Sequence, residues 1–245
     1  MNRILKNLLL VTATLFLVTP AKAQMGRCAT DEVLQQQLND NPSMQLVRDE
    51  IERHTQEYIS NQHTGDRSVI TIPVVVHVIF RAFIGEDISD EQIQSQIDIL
   101  NNDFRKLNAD INQVPGAFAF LADDCEINFC LAKQDPNGCS TTGIERREKL
   151  GFAGYDWTDA SMKFYSLGGL DTWDRDKYLN IWVCGLNGDV LGFATFPGGG
   201  PDGDGVVVQP GNFGATGSVF APYNKGRTAT HEIGHWLRAC SGILK

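Results

Sequence analysis

The sequence predicts an α/β fold, a mixed and mostly parallel twisted sheet backed by helices, and three observations lead there. The run VITIPVVVHVIF (residues 69–80) is β-branched or apolar at nearly every position, the pattern of a central strand covered on both faces. Apolar residues then recur at helical spacing, at Ile93, Ile97, Leu100 and Phe104. Several short strand-like runs follow before one last helix, an order that lays helices against a sheet.

Each element has its own signal. Pro73 is tolerated only near the start of the first strand. In the helix that follows, Ser89 and Gln92 form a capping box, and Ile88 and Ile93 a hydrophobic staple. CEINFCLAK (residues 125–133) places Ile127, Phe129 and Leu131 on one side of a second strand, with the turn DPNG directly after it. KYLNIWVCGL (177–186), LGFATF (191–196) and GVVVQP (205–210) are the further strands, and the last helix starts near Asn224. The glycine-rich FPGGGPDGDG (196–205) lacks the Gly-Lys-Ser/Thr ending of a phosphate loop and predicts a surface connection. Its Asp202 and Asp204 offer oxygens to calcium, without the spacing of a calcium loop.

A chain of 245 residues, 42% hydrophobic, supports one sizeable core but not two large domains. Its formal charge of −9 and lack of a Lys/Arg stripe exclude a nucleic-acid partner. Residues 1–23 read as a signal peptide: Arg3 and Lys6 form the basic region, 8–18 the apolar core, and Ala21-Lys22-Ala23 the cleavage signal. The apolar run is shorter than the roughly 20 residues of a membrane span, so no stable membrane anchor is expected. The product is secreted, extracellular or periplasmic. Removing Arg3, Lys6 and Lys22 leaves 18 basic against 30 acidic residues, near −12.

Secretion sets the reading of the six cysteines, Cys28, Cys125, Cys130, Cys139, Cys184 and Cys240. In an oxidising compartment some of them pair, with connectivity open, and Cys125, Cys130, Cys139 and Cys184 are structural candidates. The segment before the sheet is polar. Asn41 is a candidate helix cap with Pro42 at the first helical position, and Met44, Val47, Ile51 and Tyr58 make a thin apolar stripe. NQHTGDRS (61–68) reads as an exposed linker.

The chemistry lies in HEIGH (231–235). Residues four apart share a helix face, so the imidazoles of His231 and His235 converge on one zinc ion. Ala229, Ile233, Trp236 and Leu237 form a neighbouring stripe that buries the helix. Glu232 is placed to take a proton from a zinc-activated water as it attacks a peptide carbonyl, and to pass that proton to the leaving amine. His54 and His63 have no ligand spacing around them, and His77, inside a buried strand, is expected to be a hydrogen-bonded core histidine.

IPVVVHVIF, ISDEQIQSQIDILNNDFR, DTWDRDKYLNIWVCGL, DGVVVQP and APYNKGRTATHEIGHWL together resemble the pappalysin family of metzincin metallopeptidases, from about Cys28 to Leu237. The resemblance implies a metzincin-like upper subdomain with an active-site helix, one catalytic zinc, and a monomeric secreted endopeptidase acting on protein or peptide substrates. It also implies an inhibitory pro-segment at 24–67 ahead of a catalytic domain from 68. Within the pro-segment, GRCATDE makes Cys28 the zymogen cysteine switch, its thiolate filling the open position on zinc. The strand at 191–196 is implied as the cleft's upper rim, where substrate adds as another strand.

The sequence departs from the metzincin pattern HExxHxxGxxH after Leu237: Arg238 stands at the glycine and Ser241 at the third histidine. Cys240 is one residue short of that position. The methionine turn and lower subdomain of the family do not appear in the ten residues after His235. Two function classes follow, a secreted zinc endopeptidase and a noncatalytic secreted domain lacking the third ligand.

Overall fold

The computed structural model describes residues 26–61, 68–151 and 153–238. The signal segment, His63, Cys240 and Ser241 lie outside them, as does most of the linker. Strand β2 (Ile70–Phe80) is the sheet's centre, and its alternation explains its composition. Val74, Val76 and Val78 face one hydrophobic layer, while Val75 and Ile79 face the other side. Along one edge β2 pairs in parallel with β5 (Leu179–Cys184) through Val74–Ile79. Its other edge is shared, Ile70 to Val74 with β3 (Ile127–Leu131) and Val76 to Phe80 with β4 (Ile144–Glu148), both parallel. Beyond β5 come β7 (Val206–Val208), then β6 (Val190–Ala194), antiparallel to β7, and at the margin β1 (Arg27–Cys28), parallel to β6.

Helices α3 (Asp90–Phe104) and α4 (Arg227–Trp236) cover one face. Ile93, Ile97, Leu100 and Phe104 pack there with Phe129, Ile181, Val206, Ala229 and Ile233. The opposite face carries Trp182, Phe193, Val207 and Met162, and α1 (Thr30–Asp40) reaches over the sheet margin to add Val33. Helix α2 (Met44–Ser60) docks at its first turn, where Met44 meets Leu34 and Phe196. No helix among the described residues is long and apolar enough to cross a membrane.

Several expectations are corrected. Asn41 does not start a helix: it caps the end of α1, a helix absent from the sequence reading because its apolar contacts are few, Val33 and Leu34 buried and Leu38 half-buried, too sparse for a periodic face. The expected stripe of α2 is largely in solvent, with Val47 48% and Tyr58 58% exposed. Strand β4, IERRE, was concealed by its charges. Its side chains have partners, Glu145 with His77 and Arg146 with Asp87 and Asp90. The capping box is half formed: Ser89 Oγ accepts from Gln92 N, but the Gln92 amide is drawn away to donate to Pro210 O and Phe213 O. Helix α4 begins at Arg227, three residues later than expected. Cys28, Cys125, Cys130, Cys139 and Cys184 are free thiols, and no disulfide occurs among the described residues. The glycine-rich connection is not wholly superficial, since Gly203, Asp204 and Gly205 are buried.

Candidate metal centre

Helix α4 lies on the sheet with β6 and β7 beneath it, and Gly192 of β6 permits the close approach. A Cβ there would stand 2.7 Å from Val207 O and 3.2 Å from Glu232 Cγ. One turn of α4 separates His231 from His235, and their Nε2 atoms are 3.0 Å apart. Glu232 faces the sheet and is 1% exposed. Cys28 arrives from β1, so that single ligand atoms of Cys28, His231, Glu232 and His235 all lie within 4.8 Å of one another. Three of these were predicted as parts of a zinc site from spacing alone, and Cys28, 203 positions before His231, joins them through strand pairing.

The surroundings hold this cluster. Arg27 N donates to Asp189 O and Ala29 N to Gly192 O, a two-residue ladder that sets the depth of Cys28. Gly26 N donates to the Tyr223 hydroxyl at 3.0 Å. Thr30, fully buried, was missed by the sequence reading: its Oγ1 accepts from Ala194 N at 2.9 Å and donates to Glu232 Oε2 at 2.8 Å. Cys28 Sγ lies 3.3 Å from the same carboxylate oxygen. Only the position of a threonine two residues after the cysteine hinted at this contact. The edge of Phe196 meets the His235 ring at 5.5 Å between centroids.

Burial governs the protonation of these groups. It pushes the Glu232 carboxyl up to about 7, with the hydrogen bonds from Thr30 and Cys28 opposing the rise. Burial, then the neighbouring Glu232, pushes the Cys28 thiol up to about 12. Both histidines are lowered, chiefly by burial, and so are neutral, the form that binds a metal. The donor set fits zinc. A thiol and two imidazoles are its preferred ligand types, and two nitrogens on one tetrahedral zinc stand about 3.3 Å apart, close to the separation found.

The expected calcium contacts do not converge. Asp204 Oδ2 accepts from Trp236 Nε1 and Oδ1 from Thr195 Oγ1, while Asp202 is exposed. His77 is a core histidine, with Nδ1 2.8 Å from Glu145 Oε2 and Nε2 3.0 Å from Asn180 Oδ1. His54 is exposed on α2.

No protein-family model matches the chain. An extracellular metalloprotease of Arthroderma gypseum is 29% identical over 191 residues, covering 74% of this chain and 53% of its own. Among solved structures, a promirolysin mutant of Tannerella forsythia aligns with TM-score 0.75 and 42% identity, over 86% of this chain and 68% of that one. Mature mirolysin of the same organism, in complex with a cleaved peptide, aligns with TM-score 0.67 and 49% identity, over 70% of this chain and 64% of that one. The chain thus spans about half the length of the fungal relative and about two thirds of the mirolysin chains.

Proposed function

The chain belongs to the metallopeptidase family that includes mirolysin, and from that premise we propose that it is a secreted zinc-dependent endopeptidase of the pappalysin branch, held latent by its own N-terminal segment. The observation that carries this reading is the convergence of Cys28, His231, Glu232 and His235. His231 and His235 would hold the zinc, with Cys28 as a further protein ligand in the latent form. Zinc bound there supplies Lewis acidity to a water and to the scissile carbonyl. Glu232 takes the proton of the attacking water and delivers it to the leaving amine.

Latency has three supports. Cys28, with its sulfur in the same cluster as the two imidazoles, would fill a position on zinc that a water needs. The Thr30 hydroxyl holds the base, and the 27–28 strand lies along the edge of β6 that an extended peptide would pair with. Coverage of this chain rises from 70% with mature mirolysin to 86% with the proform, a difference of about 39 residues that suits a pro-segment at 24–67. The cleaved peptide in the mirolysin complex favours peptide substrates, and the extracellular relatives favour secretion.

Cobalt loading tests the centre. A cobalt–thiolate charge-transfer band that disappears in Cys28→Ser is expected, and the same spectrum in both proteins would remove Cys28 from the ligand set. Glu232→Gln is expected to bind zinc as the parent does and, in a form freed of 24–67 and carrying a family-like continuation with the third histidine and lower subdomain after Leu237, to lose cleavage of a denatured protein. Equal zinc-dependent cleavage by both would end the general-base assignment.

A further inference from the structure

Asp204 closes the glycine-rich connection between β6 and β7, and its carboxylate is buried. Oδ2 accepts from the indole Nε1 of Trp236 at 3.0 Å, and Oδ1 from Thr195 Oγ1 at 3.4 Å. The backbone on either side is fixed. Gly203 O accepts from the buried Lys163 Nζ at 2.6 Å, and Gly205 N donates to Thr195 Oγ1 at 2.8 Å. Gly205, at φ 137, presses so close to β5 that a Cβ there would fall 2.2 Å from Asn180 O. A buried carboxylate is a poor way to gain stability, because apolar residues of similar size commonly serve as well. Its value here is directional.

Trp236 follows His235 directly. We propose that Asp204 is a positioning residue for the metal centre, setting the roll of α4 about its axis through the indole of Trp236. The proposal rests on the reading of His231 and His235 as zinc ligands. At the other end of α4, Thr230 Oγ1 donates to Asp103 Oδ2 at 2.7 Å, and Arg227 also pairs with Asp103. Residues 230 and 236 are about 240° apart around a helix, so two carboxylates grip α4 from different sides with both histidines between them. The grip matters because leverage is large. An imidazole nitrogen about 6 Å from the axis moves about 1 Å for a 10° roll, against a tolerance of about 0.2 Å in a zinc–nitrogen bond. Of the apolar contacts of α4, Ala229 and Ile233 are small and rounded; the Trp236 ring and Leu237 pack against the same core only in part, and apolar packing has no direction, so the indole hydrogen bond is what fixes the roll.

The test is zinc affinity of the purified chain by chelator competition, together with the cobalt spectrum. Trp236→Phe keeps an aromatic ring, though a smaller one, and removes the donor, and Asp204→Ala removes the acceptor while leaving the indole in place. Each is expected to weaken zinc by about ten-fold or more and to alter the cobalt bands, and the double variant to be no worse than either. Asp204→Asn, which keeps an acceptor oxygen, is expected to stay near the parent. Val207→Ala, on the opposite face of the sheet, is the control for plain destabilisation and is expected to leave affinity unchanged. Zinc binding within about two-fold of the parent in folded Trp236→Phe overturns the proposal, as does an equal loss in Val207→Ala. If Asp204→Ala does not fold, Trp236→Phe decides alone. A parent chain that takes up no zinc overturns the metal-centre reading itself, and this proposal with it.

Discussion

One hydroxyl, that of Thr30, joins three segments that are far apart in the chain: it takes the amide of Ala194 and gives its proton to Glu232, 202 positions away. Thr30→Val keeps the shape, leaves the buried Ala194 amide without its partner and Glu232 with only the weak Cys28 contact, and should cost about 1–3 kcal/mol in urea unfolding. Arg238 is a second informative residue. It adopts φ 57 directly after the C-terminus of α4, where a metzincin has glycine, and pairs with Glu52 at 2.6 Å. Arg238 Nη1 also donates to Arg48 O at 3.2 Å, so removing the strain and these contacts together hides both effects, and the useful comparison is Arg238→Gly against Arg238→Ala, which loses the same contacts but keeps the Cβ. There the glycine should stabilise by about 1 kcal/mol in thermal unfolding, since the left-handed backbone no longer carries a Cβ. Among site residues, His231, Glu232 and His235 were legible because helical spacing is local. Thr30 was not, since no pattern in one sequence reveals a contact made through strand pairing.

Elements divide along the same line. Strand β2 and helix α3 could be read directly, because both bury a full periodic face. Helix α1 and strand β4 could not: the first buries only its opening turns, and the second is held by its ladder to β2 despite four charged side chains. Helices α1 and α2 meet the rest of the molecule through Val33, the Arg238–Glu52 pair and the small cluster of Leu34, Met44 and Phe196, with Arg48 stacked on Phe196 at 5.0 Å. So modest a contact should open before the sheet does. Leu34→Ala is expected to speed alkylation of Cys28 by iodoacetamide several-fold, while Cys184, wholly buried in β5, stays protected. Equal rates in parent and variant would mean that the α1–α2 cluster does not hold the Cys28 strand in place.

Across the whole molecule, the mixed sheet and the face taken by α3 and α4 followed from the sequence, whereas the filling of the opposite face did not. Lys163 illustrates why: a single lysine between Met162 and Phe164 gives no sign that it will be buried against Trp182 and Phe193. Burial outweighs the attraction of Asp204 and lowers its ammonium from 10.5 to about 8. Between those values the unfolded chain binds more protons than the folded one, so this group makes stability rise with pH across about 8 to 10.5. Urea midpoints of the parent should gain on those of Lys163→Met over that interval, and parallel curves would mean that Lys163 keeps its ordinary affinity for protons. The marginal strand at 27–28 has one more consequence. While paired, it caps the rim of the sheet; once it leaves, β6 presents unsatisfied amides and carbonyls, the kind of border that recruits strands from other molecules. On the proposed reading, the same two residues that impose latency therefore also keep the protein apart from its own copies, and their release carries a hazard of aggregation that a bound peptide would relieve.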